Sequence, residues 1–287
     1  MTTSDLSRPA ALCAAQVRRA ETFARLHRPG NPLLLPNAWD VASAVLIAAA
    51  GAPAIATTSG GVAWSLGVPD AADLGAGRAA AVIDRITAAV SVPVSADIEA
   101  GYGPDADAVL ATVTAVVRAG AVGVNLEDRL PGQSGLLGPA EQADRLAAAR
   151  TAADRLGVPL WINARTDVFL AGQGPAARLE EAADRAVAYA AAGADSIFVP
   201  GLTDPAAIAE LAAGPLPVAV MAGPGAPPVA ELAAAGAARI SLGTAIAQAA
   251  YAVAARAAAE LLTAGTYTAT AGGIGYAELN AALRPPG

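Results

Sequence analysis

The 287 residues include no lysine: all 18 basic residues are arginine, beside a single cysteine, Cys13, and a single histidine, His27. Each absence removes a chemistry. Without lysine there is no Schiff-base nucleophile and no phosphate-binding P-loop. One cysteine cannot close an intrachain disulfide, and one Cys with one His cannot build a Cys/His zinc site. Both residues precede the first strand-like run and read as incidental to catalysis. Aromatic residues make up 4% and charged residues 15% of the chain, and the net charge is −7. With no basic stretch, nucleic-acid and anionic-membrane partners are not expected. No apolar run reaches the roughly 18 unbroken residues of a membrane span. Met1–Arg19 scatters Asp5, Arg8, Arg18 and Arg19 among short apolar pieces, which is no signal pattern. A cytoplasmic protein is expected. Carboxylate, arginine, hydroxyl and metal chemistry remain.

Hydrophobic residues are plentiful, at 55%. Eight β-rich runs alternate with alanine-rich stretches: Leu33–Trp39, Ala54–Ser59, Val92–Ile98, Gly123–Asp128, Leu160–Asp167, Ser196–Gly201, Leu216–Ala222 and Ala238–Gly243. Several are almost continuously apolar, as in strands buried on both faces. Ala140–Leu156 and Ala176–Ala192 space acids and arginines three or four apart, as helices do. Gly51, Gly120, Gly157, Gly193 and Gly236 each sit where a helix would end in a left-handed residue. Eight such units predict a (β/α)8 TIM barrel, in the α/β class. A doubly wound sheet would want a glycine-rich first turn, where this chain has Asn37-Ala-Trp-Asp40. The reading is one domain over 1–287: a helical segment 1–30, the barrel 31–262 with a long last helix Ala245–Leu262, and a tail 263–287.

Barrel chemistry sits where strands end. Strand two ends in Thr57-Thr-Ser-Gly-Gly61, strand three in Asp97-Ile-Glu-Ala-Gly-Tyr-Gly103, strand four in Asn125-Leu-Glu-Asp-Arg129, and strand five in Asn163-Ala-Arg-Thr-Asp167. Asp97 and Glu99, two apart on a strand, are expected to share a face. Two such carboxylates repel unless a cation joins them, and Mg2+ suits one or two carboxylates with waters and substrate oxygens. Glu127 reads as a further ligand or water holder. Arg165 is a fork for a substrate carboxylate or phosphonate, or else an ion-pair partner of Glu127 or Asp167. Thr58–Gly61 is a simple turn or a nest of N–H groups for an anion. Asp128 reads as a cap for the next helix, and Asp70, from spacing alone, as a turn residue.

Ser95-Ala-Asp-Ile-Glu-Ala-Gly-Tyr-Gly103 resembles the metal motif of the isocitrate lyase/phosphoenolpyruvate mutase superfamily. Asn125-Leu-Glu-Asp128, Asn163-Ala-Arg-Thr-Asp167 and Ser65-Leu-Gly-Val-Pro-Asp70 resemble three more of its motifs, in order, over about Leu33 to Gly243. The resemblance implies Mg2+ (or Mn2+) at Asp97, helped by Glu99, Asp70 and Glu127. It implies a small carboxylic acid substrate met by Thr58, Ser59, Gly60, Asp97 and Arg165, and a homodimer or homotetramer that exchanges its eighth helix. The departures lie in the loop Arg129–Gly138, which lacks the Lys-Arg/Lys-Cys-Gly-His run of the lyases and the Lys-Thr-Asn-Ser run of the mutases. Only Gln133 and Ser134 stand in for the latter. The glutamate that the lyases carry after strand six is missing from Val199-Pro-Gly-Leu202, and no arginine lies in Thr244–Gln248.

The expected activity is therefore Mg2+-dependent cleavage of a C–C bond in a small 2-oxo or 2-hydroxy acid, by decarboxylation or retro-aldol chemistry through an enolate. Arg165 and Glu127 serve at the reacting centre, and the hydroxyl of Tyr102 or Ser134, or a water, handles the proton. P–C bond chemistry on a phosphonopyruvate-like acid is the alternative, and a barrel that binds an acid without turnover the third reading. The missing arginine predicts fewer carboxylates than isocitrate.

Overall fold

A computed structural model describes residues 10–72, 74–170 and 174–284. The strands are β1 (Leu33–Leu35), β2 (Asn37–Ala38), β3 (Ile55–Thr57), β4 (Val94–Asp97), β5 (Gly123–Glu127), β6 (Trp161–Arg165), β7 (Ser196–Phe198), β8 (Val218–Met221) and β9 (Ala237–Ser241). All pair in parallel, in the order β1-β9-β8-β7-β6-β5-β4-β3-β2. The run Leu33–Trp39 is divided at Pro36, whose nitrogen has no proton to give a ladder. Its first piece pairs with β9 (Leu33↔Arg239) and its second with β3 (Asn37↔Ala56). One divided strand thus closes the ring, and nine strand segments make the eight positions of a TIM barrel.

The helices outside the ring follow from apolar spacing. Ala106–Arg118 buries Val109, Thr112, Val113, Val116 and Val117, positions three and four apart. It starts where the Asp105 carboxylate accepts the N–H of Ala108 at 2.9 Å. The five glycines expected to end helices all have positive φ, from 66° at Gly157 to 100° at Gly120. Pro139–Arg155 and Pro175–Ala191 lie one residue from the helices read in the sequence.

The helix Ala10–Leu26 closes the end of the barrel where strands begin. Phe23 is fully buried, and a Cβ on Gly123 would come within 2.7 Å of its ring. His27 stacks on Trp161 with ring centroids 4.0 Å apart. It is buried there, and its pKa falls to about 3 from burial and the nearby charge of Arg239, so it stays neutral. The side chain of Cys13 lies outside the described residues. After β9 the helix Ala245–Ala264 buries only Ala247, and the chain ends in a short 3-10 turn, Thr268–Thr270, and the helix Tyr276–Ala282. Among the described residues no helix is long and apolar enough to cross a membrane.

Candidate active site

Inward positions alternate along each strand, so the parallel register stacks them in layers. Asn125 lies opposite Asp97 and Asn163, and one layer higher Glu127 lies opposite Arg165, and Arg165 opposite Phe198. Below Glu127 and Arg165 the polar side chains bond in a chain. Trp161 donates to Ser196 Oγ (2.8 Å), Ser196 donates to Asn163 Oδ1 (2.6 Å), and Asn163 Nδ2 donates to Asn125 Oδ1 (2.8 Å). Arg239 also donates to Asn125 Oδ1, at 3.0 Å, from a fully buried position. Burial lowers its pKa to about 10, against the pull of Asp97. Sequence reasoning missed this arginine, although a lone basic residue two before Ser241 in an apolar strand was a legible signal.

The carboxylates lie at and above this level. Asp97 ends β4: its own N–H donates to Thr57 Oγ1 (2.9 Å), and its Oδ2 accepts the N–H of Ser59 (3.0 Å) from the first turn of the helix Ser59–Ser65. The segment Thr58–Gly61, read as a turn or a nest, is a helix start whose Ser59 N–H serves Asp97. Gly60 is needed bare, because a Cβ there would meet Thr244 Cγ2 at 2.9 Å and the Asp70 carboxylate at 3.0–3.1 Å. Asp70 therefore stands beside this turn, on the site, rather than in a remote loop.

Glu99 does not reach the site by strand alternation, since β4 stops at Asp97. The chain instead turns through left-handed conformations at Glu99 (φ 50°) and Tyr102 (φ 51°). Such conformations cost an L-residue about 1–3 kcal/mol and gather at functional turns. Glu99 is buried, and its Oε1 has no hydrogen-bond partner. Its pKa rises to about 7 through burial and the charges of Asp97 and Asp70. The Tyr102 hydroxyl bonds to Glu99, and burial and the carboxylates push its pKa up, so it remains a proton donor.

Arg165 is gripped from two sides. Nη1 lies 2.8 Å from Glu127 Oε2, while Nε and Nη2 bond to Asp167 at 2.7 and 3.1 Å. Of the five N–H groups of a guanidinium, one on each terminal nitrogen is left for a ligand. Burial nevertheless pushes Glu127 up to about 8, with Arg165 pulling it down and Asp97, Asp167 and Glu99 pushing it further. Burial and Asp97 also raise Asp70. The acids of this layer outnumber its cations.

Asp128 does not cap the following helix, whose N-cap is Gly138 without a side-chain bond. It is fully buried under Arg165 and accepts from the N–H of Asp167 (3.0 Å), Arg185 Nη1 (2.9 Å) and Tyr189 OH (3.0 Å). Arg185, which the sequence reading did not single out, also donates to the Leu137 carbonyl at 2.9 Å, while the Leu137 N–H donates to the Asp128 carbonyl at 2.8 Å. Both feet of the loop 129–136 are thereby tied to the strand end that carries Arg165.

Two cavities open here. One, of about 160 Å3, is lined by Asn37, Thr58, Ser59, Asp70, Asp97, Asn125 and Arg165 on one side, and by Leu170, Phe198, Pro200 and Met221 on the other. The second, about 250 Å3, lies behind Glu99 and Tyr102 and under Leu130, Pro131 and Gln133. Ser134 lines neither cavity and is exposed on the loop, away from the other candidate residues. Among the described residues no three His, Cys, Asp or Glu side chains already converge as a closed metal site. The residues nonetheless fit a hard divalent ion: an orphaned buried carboxylate oxygen on Glu99 and proton-retaining acids around Asp97 mark a deficit of positive charge. Mg2+ also needs only one or two carboxylates, since it keeps several waters.

A model of the phosphoenolpyruvate phosphomutase family matches residues 23–262. The chain is 44% identical to a candidate phosphonomutase of Burkholderia cenocepacia J2315, whose crystal structure it matches with a TM-score of 0.81 over 88% of this chain and 100% of that one. It is 35% identical to 2-methylisocitrate lyase of Salmonella typhimurium strain LT2 over 197 residues, which is 62% of this chain and 64% of the lyase. A crystal structure of phosphonopyruvate hydrolase with oxalate and Mg2+ is 25% identical, with a TM-score of 0.78 over 92% of this chain and 94% of that one.

Proposed function

Since the chain belongs to the phosphoenolpyruvate phosphomutase family, within the isocitrate lyase/phosphoenolpyruvate mutase superfamily, we propose that it is a Mg2+-dependent lyase that cleaves a C–C bond of a small 2-oxo or 2-hydroxy acid. The observation that carries this reading is the surplus of acids at the strand ends: Asp70, Asp97, Glu99 and Glu127 around the single arginine Arg165. The ion would be held by Asp97, with Glu99 and Asp70 helping. Glu127 is already paired with Arg165 and orients it. Mg2+ when bound, or Mn2+ in its place, supplies the positive charge that a developing enolate needs.

The protein's own groups do the rest. Arg165, locked by Glu127 and Asp167, offers its two remaining terminal N–H groups to the acid. Thr58, Ser59 and Gly60 form the wall beside it. Tyr102 keeps its proton and bonds to Glu99 from the neighbouring cavity, so a proton would reach the carbanionic carbon through Glu99 rather than from Tyr102 directly. Ser134 has no part unless the loop 129–136 moves. Similarity to a carbon–carbon lyase supports this reading, as does a relative that binds oxalate with Mg2+.

The test is turnover of oxaloacetate and of branched 2-hydroxy acids with Mg2+ or with EDTA, for the native protein and for Asp97→Ala. Activity that vanishes in EDTA and falls at least about a hundredfold in the variant is expected. Metal-independent turnover, or a fully active Asp97→Ala, would end the proposal.

A second reading, P–C bond chemistry on a phosphonate, is favoured by the 44% identity to a candidate phosphonomutase. Against it stands a loop with Gln133 and Ser134 in place of Lys-Thr-Asn-Ser. Phosphorus NMR of phosphonopyruvate incubated with the protein separates the two. Tight binding with no substrate consumed would mark a barrel that only binds.

A further inference from the structure

The smaller cavity has two unlike halves, and the order of the strands decides which is which. From β2 to β6 it presents Asn37, Thr58, Asp70, Asp97, Asn125 and Arg165. Among the described residues, the next stretch of the ring, from the segment after β6 through β7 and β8, presents Leu170, Phe198, Pro200 and Met221, and Ser241, Gly243 and Thr244 then close the lining. Arg165 is the only cationic side chain in the lining. Three of its nitrogens already bond to Glu127 and Asp167, so what it has left suffices for one carboxylate. Arg239 lies in the layer below, fully buried and turned to Asn125. Phe198 and Pro200 are buried, and Met221 packs against Gly243, where a Cβ would come within 2.5 Å of its sulfur. These four side chains offer a ligand an apolar surface with no charge of its own.

We propose that this site takes a monocarboxylic 2-oxo or 2-hydroxy acid whose far end is an uncharged alkyl group seated on Leu170, Phe198, Pro200 and Met221. The inference rests on the acid-and-Mg2+ reading given above and names the substrate class within it. A second carboxylate on those four side chains would lose its water with no cation there to replace it, whereas an alkyl group there gains from leaving water. The cavity's 160 Å3 is below the roughly 300–1,000 Å3 of sites for drug-sized ligands, so the alkyl group is short. A 2-oxo acid of this kind has no second carboxylate to lose as CO2, which selects retro-aldol cleavage, whereas its 2-hydroxy analogue lacks the C2 carbonyl that would take up the electron pair and so binds without turnover. The C3–C4 bond of a 4-hydroxy-2-oxo acid breaks and leaves its electron pair on C3 as the enolate. The C4 hydroxyl proton passes to a site carboxylate, C4 departs in a neutral aldehyde or ketone, and C3 takes up a proton to give the 2-oxo acid.

The experiment measures binding by titration calorimetry in Mg2+, with three probes. Oxalate tests the polar half alone. Malate and 2-hydroxy-4-methylpentanoate have the same shape but differ in a terminal carboxylate against an isopropyl group. The expected result is that all three bind, with 2-hydroxy-4-methylpentanoate at least tenfold tighter than malate. Met221→Arg should reverse that order, because it puts a cation on the wall. If the native protein binds oxalate but prefers malate or ranks the two equally, the alkyl site is wrong and the acid-and-Mg2+ reading stands. If oxalate itself does not bind, that underlying reading falls. The comparison on the native protein decides the matter even if Met221→Arg fails to fold.

Discussion

Burial and the charges of Asp97 and Asp70 raise Glu99 to about 7 in the folded protein, against 4.5 for an ordinary glutamate. Between roughly pH 4.5 and 7 the folded state therefore binds more protons at this group than the unfolded one. Its stability must fall as pH rises through that window when no divalent ion is present. An ion held by Asp97 and Glu99 displaces that proton, so its affinity must grow with pH over the same window. Melting curves at pH 5.5 and 8, with EDTA and with Mg2+, check both signs. The melting temperature in EDTA should drop between the two pH values, and Mg2+ should raise it far more at pH 8. A Mg2+ effect that is equal at both would mean that Glu99 does not hold the ion. Asp97, Glu99, Glu127 and Arg165 were all legible in the sequence, because acids and an arginine at strand ends have few bland explanations. How Glu99 gets there was not legible. Alternation predicts a shared face with Asp97, but the strand stops first, and a left-handed turn at a non-glycine residue has no sequence signature.

Individual strands and helices were read to within one to three residues at most ends, since apolar runs and left-handed glycines mark them locally. What joins elements was not readable. Asp128 looked like a cap because it follows a strand. Its actual partner, Arg185, lies 57 residues away on Pro175–Ala191, and only tertiary packing brings them together. That pair carries two loads at once: the backbone of Asp167, which locks Arg165, and both feet of the loop 129–136. Arg185→Met would leave the fully buried Asp128 carboxylate with one charged partner fewer. Breaking a buried ion pair costs about 3–5 kcal/mol, and denaturant unfolding should show a loss of that order. Oxalate affinity should also weaken, through a displaced Arg165, and proteolysis between Arg129 and Gln133 should speed up. A variant as stable as the native protein, with the loop equally protected, would show that the pair does not brace this end of the barrel.

At the scale of the whole molecule the barrel is self-contained, and its last helix is not. Ala245–Ala264 is 20 residues long yet buries only Ala247. It presents Tyr251, Val253, Leu261 and Leu262, the last 84% exposed, and the following tail adds Tyr267 and Tyr276. Exposed large apolar side chains gathered on one helix and its tail mark it as a candidate interface. The tail is fastened to the helix rather than loose, because Glu260 accepts bonds from Thr266, Thr268 and Ala269. The helix with its tail is therefore an arm of fixed shape, whose end, Tyr276–Ala282, returns to the helix Val41–Ala49. The prediction that follows from the family resemblance is a second copy of the chain that offers the same arm in return, in a closed, two-fold contact. Light scattering after size exclusion should find a dimer or tetramer, and replacing Leu261 and Leu262 together by Asp should shift it toward monomer. The barrel's own unfolding should survive that change, since neither residue touches the core. The N-terminus of this helix stands over the cavity through Thr244, so release of the arm should also weaken oxalate binding. A native protein that is monomeric at micromolar concentration would remove the exchanged-arm account and would leave the barrel and its acid site untouched.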